Sequence, residues 1–364
     1  MIVSFLKKLQ FPKLGLKLAG GPASFVGIDI GSDSVKVVQL RKEREQAILE
    51  TYGELKVGRY FAEARRGLVG RDDKEVVNLL GDILRESSVT SEKAVFAIPS
   101  AASFVTVINF PLIRDDEIES AIPYEAKKYI PIPTSEVNID WRVIEKDENE
   151  KRVSVLLAVV PNEIVSRYQR IAGLAGLDLA GVEIESFSLV RSLLYNDRGV
   201  TALVHWGAVS TIITVVEDRI VRLNHNLSRG SREITANLAR SLNISEERAE
   251  ILKKEVGLSD RPEEMETAAV IAPIVDSFLL ETERVLVSYN RQARRKVEKI
   301  VLAGGGVSLK GFAGSVARHF GLETTVGNPF QRTVFPEFMA SVLRDIAPSF
   351  GVAAGLALRP ITTL

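Results

Sequence analysis

One short pattern occurs twice in this chain and limits what it can become. Phe25, Val26 and Ile28 run up to Asp29, a turn follows at Gly31-Ser32-Asp33-Ser34, and Val35, Val37 and Val38 rebuild a strand to Leu40. Much later, Ala202, Leu203 and Val204 lead into His205-Trp206-Gly207-Ala208, and a second strand runs from Thr211 to Val216. Strand, glycine turn, strand, met again in the second half, points to an internal duplication and two similar lobes facing each other. A turn of this kind can cup a phosphate. Gly31 admits close backbone approach, and the successive N–H groups of Ser32, Asp33 and Ser34 can point at one anion. Lys36 adds a positive charge just past the bend, and Asp29 stands at a strand end, where a carboxylate can hold the water shell of a magnesium ion. The same residues also make an ordinary surface hairpin, and the stretch alone leaves both readings open.

A third glycine feature bears on that choice. Lys299 to Ala303 reads as a buried strand that runs into Gly304-Gly305-Gly306, ahead of a helix from Lys310 onward. Three glycines between a strand and a helix permit close approach to a flat ligand such as adenosine. A flexible turn is the alternative.

Composition narrows the classes. The 364 residues are long enough for two domains or one bilobed fold. Forty-seven basic and forty-seven acidic residues cancel, so no overall field draws in nucleic acid. With no cysteine there are no disulfides or thiolate metal sites, which fits a reducing compartment. The three histidines, at 205, 225 and 319, have no zinc-enzyme spacing. No apolar run reaches about eighteen residues, so no transmembrane helix is expected. In residues 1–18, Ile2, Phe5, Leu6, Leu9, Leu14 and Leu16 interleave with Lys7, Lys8, Lys13 and Lys17. That pattern suits a leader resting on an anionic membrane surface or a plain flexible one, with Gly20-Gly21-Pro22 as linker.

Periodicity gives the order of elements. A third strand is expected over Ile48–Val57, a helix over Lys74–Ser87, and strands over Lys93–Ile98 and Phe104–Phe110. A helix beginning at Asp115 puts Ile118, Ile122, Ala126 and Tyr129 on one face and stops before Pro131-Ile132-Pro133. Strands over Val137–Glu145 and Arg152–Val160 and a helix over Asn162–Gly176 complete a small α+β unit of roughly residues 100–184, inserted into the first lobe. Helices are expected over Ser231–Leu242 and Glu246–Val256, and over Glu264–Arg295 with Pro273 as a break or a fresh start.

Two phosphate-type hairpins and a glycine triplet in this order resemble the actin-like ATPase superfamily. The stretch Glu125-Ala126-Lys127-Lys128-Tyr129-Ile130-Pro131-Ile132-Pro133, followed by Glu136-Val137-Asn138-Ile139-Asp140, resembles the PilM family of type IV pilus assembly proteins. So do Val182-Glu183-Ile184-Glu185, Ala249-Glu250 with Lys253, and the Gly355-Leu356-Ala357 ending. The resemblance implies an α/β, actin-like two-lobed ATPase fold with a small inserted α+β domain of SHS2 type, related to that of the division protein FtsA. It implies a first lobe of residues 25–99 with 185–199, an insert of 100–184, a second lobe of 200–230 with 296–364, a helical subdomain of 231–295, and a leader of 1–24. ATP and magnesium are the implied cofactors. Asp29, Gly31, Ser32, Ser34 and Lys36 would form the first phosphate loop, with Asp29 toward the metal. Gly207 and Ala208 would form the second loop, Gly304, Gly305 and Gly306 would back the adenosine, and Glu250 and Lys253 would approach its ribose and base. The last pair also reads as a plain surface ion pair at i,i+3.

The implied function is a cytoplasmic adaptor, peripheral at the inner membrane. It would dock the cytoplasmic N-terminal tail of a bitopic membrane protein, PilN, with pilus motor ATPases as further partners. One position departs from the family pattern. The second hairpin would open with an aspartate, and His205 stands there. An imidazole is a poor ligand for magnesium-bound water, though a protonated one can donate to a phosphate. ATP binding with weak or absent hydrolysis is therefore the expectation. A sugar-kinase-like phosphotransferase and a divisome actin homologue are the competing readings. The first needs a carboxylate base for which the sequence offers no evident motif.

Overall fold

Near-continuous apolar runs on the first strands call for cover on both faces, and the fold supplies it. The computed structural model describes residues 23–59, 72–130 and 132–361. Residues 1–22 of the expected leader, Pro131 of the Glu125–Pro133 stretch, and residues 362–364 lie outside the described residues. Strands β1 (Ser24–Ile30), β2 (Ser34–Glu43) and β3 (Gln46–Lys56) form an antiparallel meander. Helix α1 (Asp73–Glu86) starts where the Asp72 side chain accepts from the Lys74 backbone N–H at 3.3 Å. It buries Val76, Leu79, Leu80 and Ile83, and β4 (Lys93–Ile98) returns parallel to β1.

The insert follows as β5 (Phe104–Pro111), α2 (Asp115–Ala126), β6 (Val137–Asp147), β7 (Arg152–Pro161) and α3 (Asn162–Leu174), with sheet order β5-β7-β6. Side chains alternate across β7. Val153, Val155, Leu157 and Val159 pack with Ile118, Ile122 and Ala126 of α2, while Leu156, Ala158 and Val160 join the core of the first lobe. The sequence reading put Tyr129 on the α2 face. The helix stops at Ala126, and Tyr129 sits in the following turn, stacked on Phe104 at 6.0 Å between ring centroids.

Strand β8 (Asp178–Ile184) pairs in parallel with β4, and α4 (Glu185–Leu193) follows it. The expected insert of 100–184 included this strand. Hydrogen bonding to β4 makes it instead an edge of the first-lobe sheet.

The second lobe contains β9 (Val200–Trp206), β10 (Thr211–Glu217), β11 (Ile220–Leu227), α5 (Arg232–Ser241), α6 (Glu246–Glu255), α7 (Met265–Gln292), β12 (Lys299–Ala303), α8 (Phe312–Phe320) and β13 (Glu323–Val326). Its sheet has the order β11-β10-β9-β12-β13. Trp206 anchors its core, stacked on Phe278 at 4.6 Å and tilted on Phe312 at 4.3 Å. Helix α7 runs unbroken through Pro273, contrary to the break expected there. Pro273 and Ala269, whose carbonyl loses its partner, are both exposed, so the lost bond falls on the solvent side of the helix.

The chain then returns to the first lobe. Strand β14 (Thr333–Val334) pairs with β3, α9 (Ala340–Ile346) follows, and α10 (Gly351–Leu358) packs on β1, β2, β4 and α4. From the sequence, everything from 296 onward is expected in the second lobe. Every residue of α10 is buried, so the helix needs apolar cover all round, which the first-lobe sheet and α4 provide. Among the described residues no single helix is long and apolar enough to cross a membrane.

Candidate functional site

The two hairpins close in the same way. Gly31 N–H donates to the Ser34 carbonyl at 3.1 Å, and Gly207 N–H donates to the Ser210 carbonyl at 3.0 Å. A Cβ on either glycine would stand 2.8 Å or 2.9 Å from that same carbonyl oxygen. Glycine is needed in both turns because the chain folds back on itself there. Asp29 precedes Gly31 by two residues, as His205 precedes Gly207, so the two side chains occupy equivalent strand positions.

Between the hairpins lies a cleft of about 520 Å³. Eleven of the residues singled out from sequence line it: Asp29, Gly31, Ser32, Ser34, Lys36, His205, Gly207, Ala208, Glu250, Lys253 and Gly305. Gly304 and Gly306 do not. Gly304 has φ +93°, and its missing Cβ would sit 2.4 Å from the Trp206 carbonyl oxygen. Gly306 is buried with its missing Cβ 2.8 Å from the Trp206 ring. Both serve the packing of the β12 end against β9, while Gly305 has nothing within 4 Å of its Cβ position and forms the wall itself.

The charges of the cleft are already in contact with one another. Lys36 Nζ donates to Ser34 Oγ at 2.6 Å and lies 3.5 Å from Glu54. Lys56 pairs with Asp33 at 2.6 Å. On the far wall the Lys253 ammonium donates to Glu250 Oε2 at 2.5 Å and to Thr235 Oγ1 at 2.9 Å, and Thr235 donates to the same carboxylate at 2.6 Å. The pair at 250 and 253 is thus part of a network joining α6 to α5, with Lys253 buried. Burial pushes the Lys253 ammonium below its usual range, against the pull of Glu250.

Sequence reasoning missed Glu54, Lys56, Thr235 and above all Glu185. The first residue of α4, Glu185 accepts from the Ser100 backbone N–H at 2.7 Å and lines the cleft. Burial, and then the nearby Asp29 carboxylate, push its carboxyl up to about 7. Burial raises Asp29 too, with Lys36 working against the rise and Glu54 for it. The cleft therefore contains a carboxyl raised toward neutral pH, which no motif in the sequence marks. Glu185 was legible only as one of four residues in a family stretch, since nothing local marks that the end of β8 faces the turn after β1. Burial and the Lys36 charge bring His205 down to about 4, so its ring is neutral at pH 7. With no anion beside it, the ring is not the phosphate-donating imidazolium considered from the sequence.

A second, more apolar pocket of about 280 Å³ adjoins the cleft. Val76 of α1 and Ile164, Tyr168 and Ile171 of α3 line one side, and Ser32 and Val209 at the two hairpin tips line the other.

Comparison with known proteins accords with this fold. A structure described as a PilM–PilN type IV pilus biogenesis complex superposes with a TM-score of 0.80 at 23% identity, over 94% of this chain and 100% of that one. The ethanolamine utilization protein EutJ from Carboxydothermus hydrogenoformans gives a TM-score of 0.58 at 17% identity, over 93% of this chain and 90% of that one. MreB 5 of Spiroplasma citri, bound to AMPPNP, gives 0.50 at 12% identity, over 91% and 94%. These likenesses establish the actin-like fold. The family model for type IV pilus assembly protein PilM matches residues 27–361, and the chain belongs to that family.

Proposed function

We propose that this protein is an ATP-binding adaptor of type IV pilus assembly, working at the cytoplasmic side of the inner membrane. The observation that carries the nucleotide reading is the convergence of both hairpin turns, Gly305 and the α6 pair on one cleft between the lobes. The N–H groups of the two turns and Lys36 suit the phosphates, Gly305 leaves room for a flat ring, and Glu250 with Lys253 suits the sugar and base. The floor also fits a divalent cation. Asp29 and Glu185 are carboxyls raised by burial, which a cation would relieve, and Asp29 would hold its water shell. When bound, that ion supplies countercharge to the phosphates.

Hydrolysis is weak or absent in this reading. His205 occupies the place equivalent to Asp29 and is neutral, so the second hairpin offers no carboxylate to the metal.

The adaptor half of the reading rests on the apolar pocket. A short extended tail entering between α1 and α3 could bury apolar side chains against Val76, Ile164 and Ile171. Asn226 Oδ1, also in that lining, is buried and has no hydrogen-bond partner, leaving an acceptor for a backbone N–H. The solved relative described as a PilM–PilN complex supports the cytoplasmic tail of a bitopic PilN-like protein as the occupant.

The nucleotide reading is tested by melting temperature. Millimolar Mg-ATP raises it, because a ligand that binds only the folded state stabilises by about 2.7 kcal/mol at a hundred times its Kd. Lys36→Ala removes the rise. An unshifted parent protein at millimolar Mg-ATP would remove the reading.

A further inference from the structure

Asp29, Lys36 and Glu54 are directly opposed residues on three neighbouring antiparallel strands, β1, β2 and β3. Opposed residues in such a row share a face of the sheet, and all three line the cleft. The lysine placed to meet a phosphate therefore has a carboxylate on each side. The row thus sets two carboxyl groups against one ammonium before any ligand arrives. The whole cleft repeats that balance, with eight acidic and five basic side chains in its lining. Glu54 reaches the Lys36 ammonium at 3.5 Å while its side chain stays 32% exposed, so it is open to the cleft rather than sealed in a core pair. Burial works to raise the Glu54 carboxyl, but Lys36 and Ser34 hold it below its usual range, so it is charged at neutral pH.

An anion approaching this row meets the Glu54 carboxylate, the buried Asp29 carboxyl and a lysine already engaged by Glu54 and Ser34. We propose that Glu54 is a positioning residue that keeps Lys36 in line on the strand row and makes affinity for a nucleoside polyphosphate depend on a divalent cation. The inference rests on the nucleotide reading above. Free nucleotide has to draw Lys36 away from Glu54 and sit beside uncompensated negative charge. Metal-bound nucleotide brings its own countercharge and leaves the row intact.

Affinity of the full chain for a fluorescent ATP analogue, titrated with excess magnesium and again with EDTA, reads this directly. The parent is expected to lose at least about tenfold in affinity without magnesium. Glu54→Gln recovers about three- to tenfold of the metal-free affinity, the size expected for removing one partly screened charge. Glu54→Asp keeps the charge and retains the parent's dependence. Glu45→Gln removes a charge from an exposed turn and leaves both affinities unchanged. Melting temperatures without ligand confirm that each variant is folded. A Glu54→Gln protein with the parent's ratio of affinities overturns the role of Glu54 and leaves nucleotide binding standing. A parent that binds the analogue in neither condition overturns both.

Discussion

At the scale of single residues, the glycine triplet separates two jobs that sequence could not tell apart. Gly304 sits at φ +93° against the Trp206 carbonyl, while Gly305 faces open space. Gly304→Ala is expected to lower stability by about 2–3 kcal/mol, from a strained backbone and an overlap that neither partner's main chain can relieve. Gly305→Ala is expected to melt within about 0.5 kcal/mol of the parent, as surface changes away from packed groups do. Denaturant unfolding of the two variants checks the contrast, and equal stabilities would show that the triplet acts as one loop. The same lesson holds for His205 and Asp29. Equivalent positions in a duplicated unit carry opposite demands, because Lys36 faces Asp29 across β2 and Ile212 faces His205 across β10.

At the scale of elements, the insert is more deeply built into the first lobe than a 100–184 unit implies. Strand β8 is hydrogen-bonded to β4, and Val105, Leu156, Ala158 and Val160 belong to the first-lobe core. A buried pair also anchors this region: Glu183 of β8 meets Arg191 of α4, which also donates to the Gly355 carbonyl of α10 at 3.1 Å. Replacing residues 100–184 by a short linker is therefore expected to abolish cooperative unfolding. It strips an edge strand and leaves Arg191 as an unpaired buried charge. Calorimetry on the shortened chain decides this, and a single sharp transition near the parent's temperature would show the insert to be a separable domain. The strand and helix order of this unit was readable from periodicity. Its membership in the larger core was not, because a mostly apolar strand such as β7 reads the same whether one face or both are covered by other elements.

At the scale of the whole molecule, three bodies meet around the hairpin tips. Ser32 and Val209 line both the cleft and the apolar pocket, so under the proposed function a tail in one and a nucleotide in the other would share walls. The insert also reaches the second lobe directly, where Arg222 pairs with Glu145 at 2.8 Å and Arg294 pairs with Asp147 and Glu150. A peptide copying the cytoplasmic N-terminus of the membrane partner is expected to bind the full chain. Ile164→Glu should weaken that binding at least about tenfold by placing a charge in an apolar pocket. Fluorescence anisotropy with a labelled peptide measures it. Equal affinity in parent and variant would move the docking surface away from α3.

The duplicated hairpins, the order of nearly every element and the family are legible from the residues, because each is written in local periodicity and contiguous motifs. The residues also locate most of the cleft, since Gly31 and Gly207 are each required by a turn only a few residues long. The fold adds what depends on contacts between segments far apart in the chain. It carried the C-terminal segment back to the first lobe through the need of α10 for apolar cover on all sides. It brought Glu185 and Glu54, distant in the chain, beside Asp29 and Lys36, and through burial it set the protonation of Glu185 and His205. Those are consequences of which strands lie next to each other and what water is excluded, and neither is encoded in any single stretch of residues.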